Sequence, residues 1–226
     1  MICRRFFVLS QPHEQIPLDL IEPEAPTLDN FVLGDNAELV AALRACQNGQ
    51  GPQFIYLWGP PGSGRSHLLR AVTPTQRWRV PEFDEDVSLY TVDNIESLDP
   101  EDLERLFHLM NAVRSHPGAR LVSAGSRPVG ELDIRDDIKT RLSWGLVYRL
   151  NYLTEQQARS EFVRLAKSRG IEVTPEIEHW VAVYCPRDMR SLRRLLDQID
   201  DFAMRRKRRV TVSLLHEWAS SNLFEI

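Results

Sequence analysis

Cysteine is scarce and scattered. Cys3, Cys46 and Cys185 are the 3 in 226 residues, and no spacing among them suits a metal site, so they read as reduced thiols of a cytoplasmic protein. Long apolar runs are missing as well. None approaches the ~20 residues that a membrane span needs, which excludes a membrane from the expected partners. An excess of positive charge is the third absence. Lys and Arg number 28 against 32 Asp and Glu, for a net charge of −4 and a pI near 5.9. That balance argues against a surface built throughout for nucleic acid and leaves room only for a local basic patch. The opening "MICRRFFVL" has an apolar part too short for a signal-peptide core, and no small-residue cleavage site follows. What remains is the composition of a globular chain, 42% hydrophobic and 27% charged, long enough for one core plus a small satellite.

Residues 1–26 hold several prolines and mixed charge without helical periodicity, and read as a flexible tail. Beyond them "DNAELVAALRAC" sets Leu39, Val40, Ala42 and Leu43 on helical spacing, with Asn36 as the expected N-cap. Four short apolar runs follow: Phe54 to Trp58, Val87 to Asp93, Ala119 to Gly125 and Gly145 to Leu150. Between the second and third lies an amphipathic helix with Leu103, Leu106, Leu109 and Met110 inward. Strands alternating with helices predict a doubly wound parallel sheet over residues 27–152. After Leu150 the strands stop. Thr154 and Gln157 form a capping box for a helix that Gly170 ends. Further helices start at Thr174-Pro175, in "RDMRSLRRLLDQIDDFAM" and at Ser213, so residues 153–226 read as a small helical domain.

The chemistry is concentrated in "GPPGSGRS", Gly59 to Ser66. The pattern G-x-x-x-x-G-[KR]-S directly after a strand and before a helix is a phosphate-binding loop, in which backbone N–H groups and the helix N-terminus cradle phosphates. Gly59, Gly62 and Gly64 give the turn, and Ser66 offers a hydroxyl for Mg²⁺. Arg65 keeps the positive charge but replaces a compact ammonium with a wide planar fork. In "LYTVDNIE" an apolar strand ends at Asp93, where a P-loop protein holds Mg²⁺. Asn94 follows, and a carboxamide is not a general base. Both departures predict a chain that binds nucleotide and turns it over poorly.

With these segments in view, residues 27–226 resemble the DnaA-type AAA+ proteins, with the motifs in the family's order. "TLDNFVLGDNAEL" is similar to the segment whose backbone near Val32 and Leu33 faces adenine. "GPPGSGRSHLL" and "VDNIE" resemble Walker A and Walker B. "SAGSRP" resembles sensor 1, with Ser126 where the initiator has an acid. "KTRLSWGL" is similar to the segment carrying the arginine finger, at Arg141, and "RDMRSLRRLLDQID" to sensor 2, with Arg190 as its arginine. On position alone Arg141 reads as a surface charge and Arg190 as an ion-pair partner; the resemblance is what assigns them. Arginine in the loop and Asp-Asn in Walker B are similar to the family's regulatory members, for which a DNA-reading helix-turn-helix after the lid is not expected. In the tail, "QIPLDL" resembles the short peptide that docks on the bacterial sliding clamp, through Gln15, Leu18 and Leu20. One stretch departs from the family: between Ser66 and Asp93 the chain is short by a helix, with room for only an abbreviated strand.

The resemblance implies a P-loop AAA+ α/β domain with a helical lid, and ADP or ATP as cofactor, with Mg²⁺ where Ser66 and Asp93 meet. It implies the DnaA initiator and a DNA-loaded sliding clamp as partners, and leaves a homo-oligomer open. The function implied is activation of ATP hydrolysis on the initiator by Arg141 in trans. The rival reading is a self-sufficient ATPase of the helicase-loader or clamp-loader type, against which Asn94 speaks. "RRKRR" (residues 205–209) suits the negative end of a helix dipole, with accessory contact to DNA as the alternative. Trp58, Trp144 and Trp180 read as packing residues, and His67 as a helix residue without a catalytic part.

Overall fold

The computed structural model describes residues 25–74, 79–184 and 186–222, less the Asn222 side chain. Gln15, Leu18 and Leu20, and with them the expected clamp-docking peptide, lie outside the described residues.

Four parallel strands form the sheet: β1 (Phe54–Trp58), β2 (Leu89–Val92), β3 (Arg120–Gly125) and β4 (Leu146–Arg149). Their spatial order is β2-β3-β1-β4, and Tyr56 stands opposite both Ser123 and Val147. The central strands are covered on both faces, which is why "FIYLW" and "RLVSAG" carry no polar alternation. On one face Tyr56, Tyr90 and Leu121 pack against Leu106, Leu109, Met110 and Val113 of helix α3 (Pro100–Ser115). On the other, Ile55, Leu57, Val122 and Ala124 pack against Leu39 and Leu43 of α1 (Ala37–Gln47) and Leu68 and Leu69 of α2 (Arg65–Val72). Helices on both faces of a parallel sheet are the doubly wound arrangement expected from the sequence. Leu103 is half-buried, at the rim of the helix face assigned to it.

After the short helix α4 (Asp136–Leu142) and edge strand β4, the chain turns all-helical: α5 (Glu155–Ser168), α6 (Pro175–Tyr184), α7 (Met189–Arg206) and α8 (Val212–Asn222). These have their own core, in which Phe162, Trp180, Leu192, Leu196, Ile199 and Leu215 meet. The Thr154 capping box is formed, with the hydroxyl accepting from the Gln157 N–H and the Gln157 side chain accepting from the Thr154 N–H. Gly170, in the left-handed region at φ +74°, follows α5.

Two local expectations are corrected. Asn36 does precede α1, but its side chain makes no cap. Its amide donates to the Leu33 carbonyl at 3.0 Å, and its Oδ1 accepts from the Asn151 N–H at 3.3 Å, so it ties the segment before α1 to the one entering the lid. The abbreviated strand between Ser66 and Asp93 is also missing among the described residues, which leaves β2 at the edge of the sheet. Packing takes its place. Val80 is buried and Phe83 lies against the core, while the Tyr90 hydroxyl both donates to the Asp84 carbonyl and accepts from its N–H.

Candidate nucleotide site

The loop 59–64 leaves the C-terminal end of β1 and enters α2 through Gly64, whose φ of +101° only glycine adopts readily. A side chain there would also strike Phe31, at 2.7 Å from Cβ, and one at Gly62 would strike the Asp188 carboxylate, also at 2.7 Å. The loop is thus gripped between the strap before α1 and the cap of lid helix α7. The Ser63 hydroxyl in the loop and one Arg65 guanidinium nitrogen at the start of α2 are buried with no hydrogen-bond partner among the described residues. The first N–H groups of α2 have no intrahelical acceptor either. Donors left open at a helix N-terminus are what an anionic phosphate satisfies.

The loop opens on a cleft of about 740 Å³ between the strap and the lid. Val32 and Phe31 line one side; Met189, Arg190, Arg193 and Arg194 of α7 line the other. The buried apolar positions of α7 (Leu192, Leu195, Leu196, Ile199) face the lid core, and the helical period then turns 190, 193, 194 and 197 toward the cleft. Arg193 buries its Nε without a partner. His67 Nε2 lies 2.9 Å from the Thr27 carbonyl, so it carries the proton of the neutral ring. Burial pushes the His67 pKa below its ordinary 6.5, against the Thr27 hydrogen bond and helped by the charge of Arg193. It is a neutral clasp between α2 and the strap. On the lid side, the Tyr152 hydroxyl donates to the Pro61 carbonyl at 2.8 Å.

At the far end of the loop the Ser66 hydroxyl donates to Asp93 Oδ2 at 2.5 Å, joining the two motifs. Asn94 lines the cleft and adopts φ +49°, its N–H bonded to Asp93 Oδ1 at 2.8 Å. Behind Arg65 stands Glu96, 3.8 Å from the guanidinium and 3.0 Å from the Ser126 N–H. Tyr56 sits beside it, its hydroxyl donating to the Arg127 carbonyl at 2.6 Å. Burial raises the Tyr56 pKa, with the Glu96 charge adding to the effect.

Of the residues singled out in the sequence, the cleft gathers Val32, Gly62, Gly64, Arg65, Ser66, Asn94 and Arg190. Asp93 lies beneath Ser66. Gly59 is part of the loop's base, donating to the Gly125 carbonyl at 3.3 Å. The Leu33 side chain is exposed, and its carbonyl accepts from Asn36. Ser126 presents its N–H to Glu96. Arg141 is not in the cleft lining. It is held on α4, donating to Asn111 Oδ1 at 3.1 Å and the Asp137 carbonyl at 2.9 Å, with its guanidinium 4.0 Å from the Phe107 ring and 5.2 Å from that of Trp144. In the basic run, Arg205 pairs with Asp201, while Arg206 and Arg208 pair with Glu217. Motif reading missed Phe31, Ser63, Arg193 and Glu96. For Arg193 a signal existed, since it stands one helical turn beyond Arg190.

These features fit a nucleotide: unpartnered donors at a helix N-terminus, cations on the facing wall and a cleft of suitable size. For a metal the donor set is smaller. The Ser66 hydroxyl and Asp93 carboxylate adjoin, but no group of three or more His, Cys, Asp and Glu that could hold one occurs among the described residues. No helix among them is long and apolar enough to cross a membrane.

Comparison with known proteins agrees with this architecture. The family model described as "Hda, lid domain" matches residues 155–218. A DnaA initiator structure, bound to AMPPCP and single-stranded DNA, superposes with a TM-score of 0.65 at 18% identity, over 80% of this chain and 66% of that one. This chain thus spans just under two thirds of that initiator. Domain III of Thermotoga maritima DnaA gives 0.69 at 18% identity, over 88% of this chain and 97% of that chain. The Thermotoga maritima RuvB Holliday-junction branch-migration motor gives 0.67 at 17%, over 87% and 72%. The fold is therefore the AAA+ fold of these DnaA and RuvB structures, and residues 155–218 are similar to the Hda lid domain.

Proposed function

We propose that this AAA+ protein of the DnaA type, with its Hda lid, inactivates the replication initiator DnaA and so prevents re-initiation. It lends Arg141 in trans to ATP bound on the initiator and leaves the initiator in its ADP form. The observation that carries this reading is the division of labour between the two sites. The chain's own cleft has loop donors and lid arginines but a carboxamide, Asn94, where a water-activating acid is wanted. Arg141 lies outside the cleft lining on a different surface, with its guanidinium fixed between two rings and two hydrogen bonds. A prepositioned arginine of this kind adds about 10³–10⁵ to nucleoside triphosphate hydrolysis when it stabilises the transferring phosphoryl group of a neighbour.

In the chain's own cleft, Ser63, the first turn of α2 and the lid arginines bind phosphate, Val32 and Phe31 wall the cleft, and His67 and Tyr152 hold strap, loop and lid together. The loop and α7 would hold the phosphates of ADP between them, and Ser66 with Asp93 would hold an accompanying Mg²⁺. The tail peptide "QIPLDL" brings the protein to DNA-loaded sliding clamp, which confines the reaction to the period after replication has begun. The test is loss of ATP prebound to DnaA. It should accelerate when this protein and DNA-loaded clamp are both present, while the protein alone turns over ATP slowly. Rapid turnover by the isolated chain, with no effect on the initiator, would contradict the proposal.

A further inference from the structure

The lid carries a second cavity, of about 580 Å³, that shares no lining residue with the nucleotide cleft. Helix α6 gives it Glu176, Trp180, Val183 and Tyr184, and the start of α8 closes it with Val212 and His216. Trp180 is 3% exposed, and its indole N–H has no hydrogen-bond acceptor among the described residues. A buried indole N–H ordinarily finds one. Tyr184 stacks on that ring with centroids 4.8 Å apart yet is itself 48% exposed, and Val183 beside it is 65% exposed. Glu176 stands at the N-terminal end of α6, where its hydrogen bond with the Thr174 side chain holds its carboxyl below the usual carboxylate range. An apolar wall, an unanswered donor and a charged acid at one end suit a peptide that brings apolar side chains, a backbone carbonyl and a cation.

The chain has such a segment outside the described residues: Arg4, Arg5, Phe6, Phe7, Val8 and Leu9. Nothing in the proposed function uses it. The 15 residues 10–24 join it to Ala25. Extended, they span up to about 50 Å, whereas a domain of the lid's size is roughly 30 Å across. The tether also starts close to the lid, since Pro26 lines the nucleotide cleft together with Met189 and Arg190. We propose that the groove between α6 and α8 is the docking site of this chain's own segment 4–9. Its phenylalanines cover the Trp180–Tyr184 stack and Val183, its arginines meet Glu176, and one of its carbonyls accepts from the Trp180 N–H.

The test is nuclear magnetic resonance of the tryptophan indole N–H groups in the full chain, wild type against Phe6→Ala combined with Phe7→Ala. The Trp180 signal should move in the double variant, which loses the two rings that hold the segment in place. Trp58 and Trp144, which pack in the α/β core, should not move. In a Val183→Glu chain, where a charge stands in the groove, the same tail substitution should leave Trp180 unmoved. Val183 is exposed, so this variant should keep the wild-type melting temperature. Should it melt early, Glu176→Arg on the exposed rim takes its place, repelling the arginines of the segment. A Trp180 signal that ignores the tail substitution, or that moves equally whether or not the groove is altered, overturns the proposal. A shift that fades as the wild type is diluted assigns the groove to a second copy's tail and overturns docking within one chain.

Discussion

Arg193 buries its Nε without a hydrogen-bond partner and turns into the cleft from the same helix face as Arg190. A buried donor on a cation is costly unless an acceptor arrives, and a charged hydrogen bond contributes about 1.5–3 kcal/mol. Arg193→Ala should therefore weaken ADP binding about 10- to 150-fold by calorimetry, with little change in the melting temperature of the unliganded chain. Unchanged affinity would remove Arg193 from the site. Its absence from the motifs has a physical cause: the loop's spacing is dictated by contiguous backbone around phosphate, whereas a lid arginine can approach from any turn of α7. Glu96 was hidden for a related reason. Its partner Ser126 is 30 residues away in sequence, and the contact exists only because β2 and β3 end side by side.

Among the elements, α5 shows how far local sequence reaches. Its capping box satisfies both the Gln157 and the Thr154 N–H groups from within four residues. Thr154→Ala should cost about 1 kcal/mol, read as a lowered melting temperature or denaturant midpoint; an unshifted transition would mean that the lid's end is held by packing alone. The cap at α1 was misread because Asn36 has two possible employers, and tertiary structure gives it to Leu33 and Asn151 instead of the helix. Strand β1 was legible because both its faces are buried. Between α2 and β2 the shortened chain replaces a strand with Val80 and Phe83 packing and the Tyr90–Asp84 hydrogen bonds, none of which has a periodic signature.

Across the whole molecule, a net charge of −4 coexists with a cleft walled by arginines, so bulk charge says little about which ligand one surface takes. The "RRKRR" run, conspicuous in sequence, is largely absorbed by Asp201 and Glu217. Recruitment belongs to this scale too. If the proposed recruitment holds, Leu18→Ala combined with Leu20→Ala should abolish retention on immobilised clamp without altering the melting temperature, because these two leucines are the apolar residues of the proposed docking peptide. Retention by the double variant would contradict that part of the account.

The doubly wound fold was legible from the order of apolar runs, whereas the contacts of Arg141 with Phe107, Asn111 and Trp144 emerge only when α3 and α4 pack. The most direct measurement follows ATP prebound to DnaA, in the presence of DNA-loaded clamp, with wild type compared against Arg141→Ala. The account predicts that wild type speeds hydrolysis and that the variant, with ADP binding in its own cleft intact, loses about 10³-fold or more of that stimulation. Equal stimulation by both proteins would contradict the trans-acting arginine.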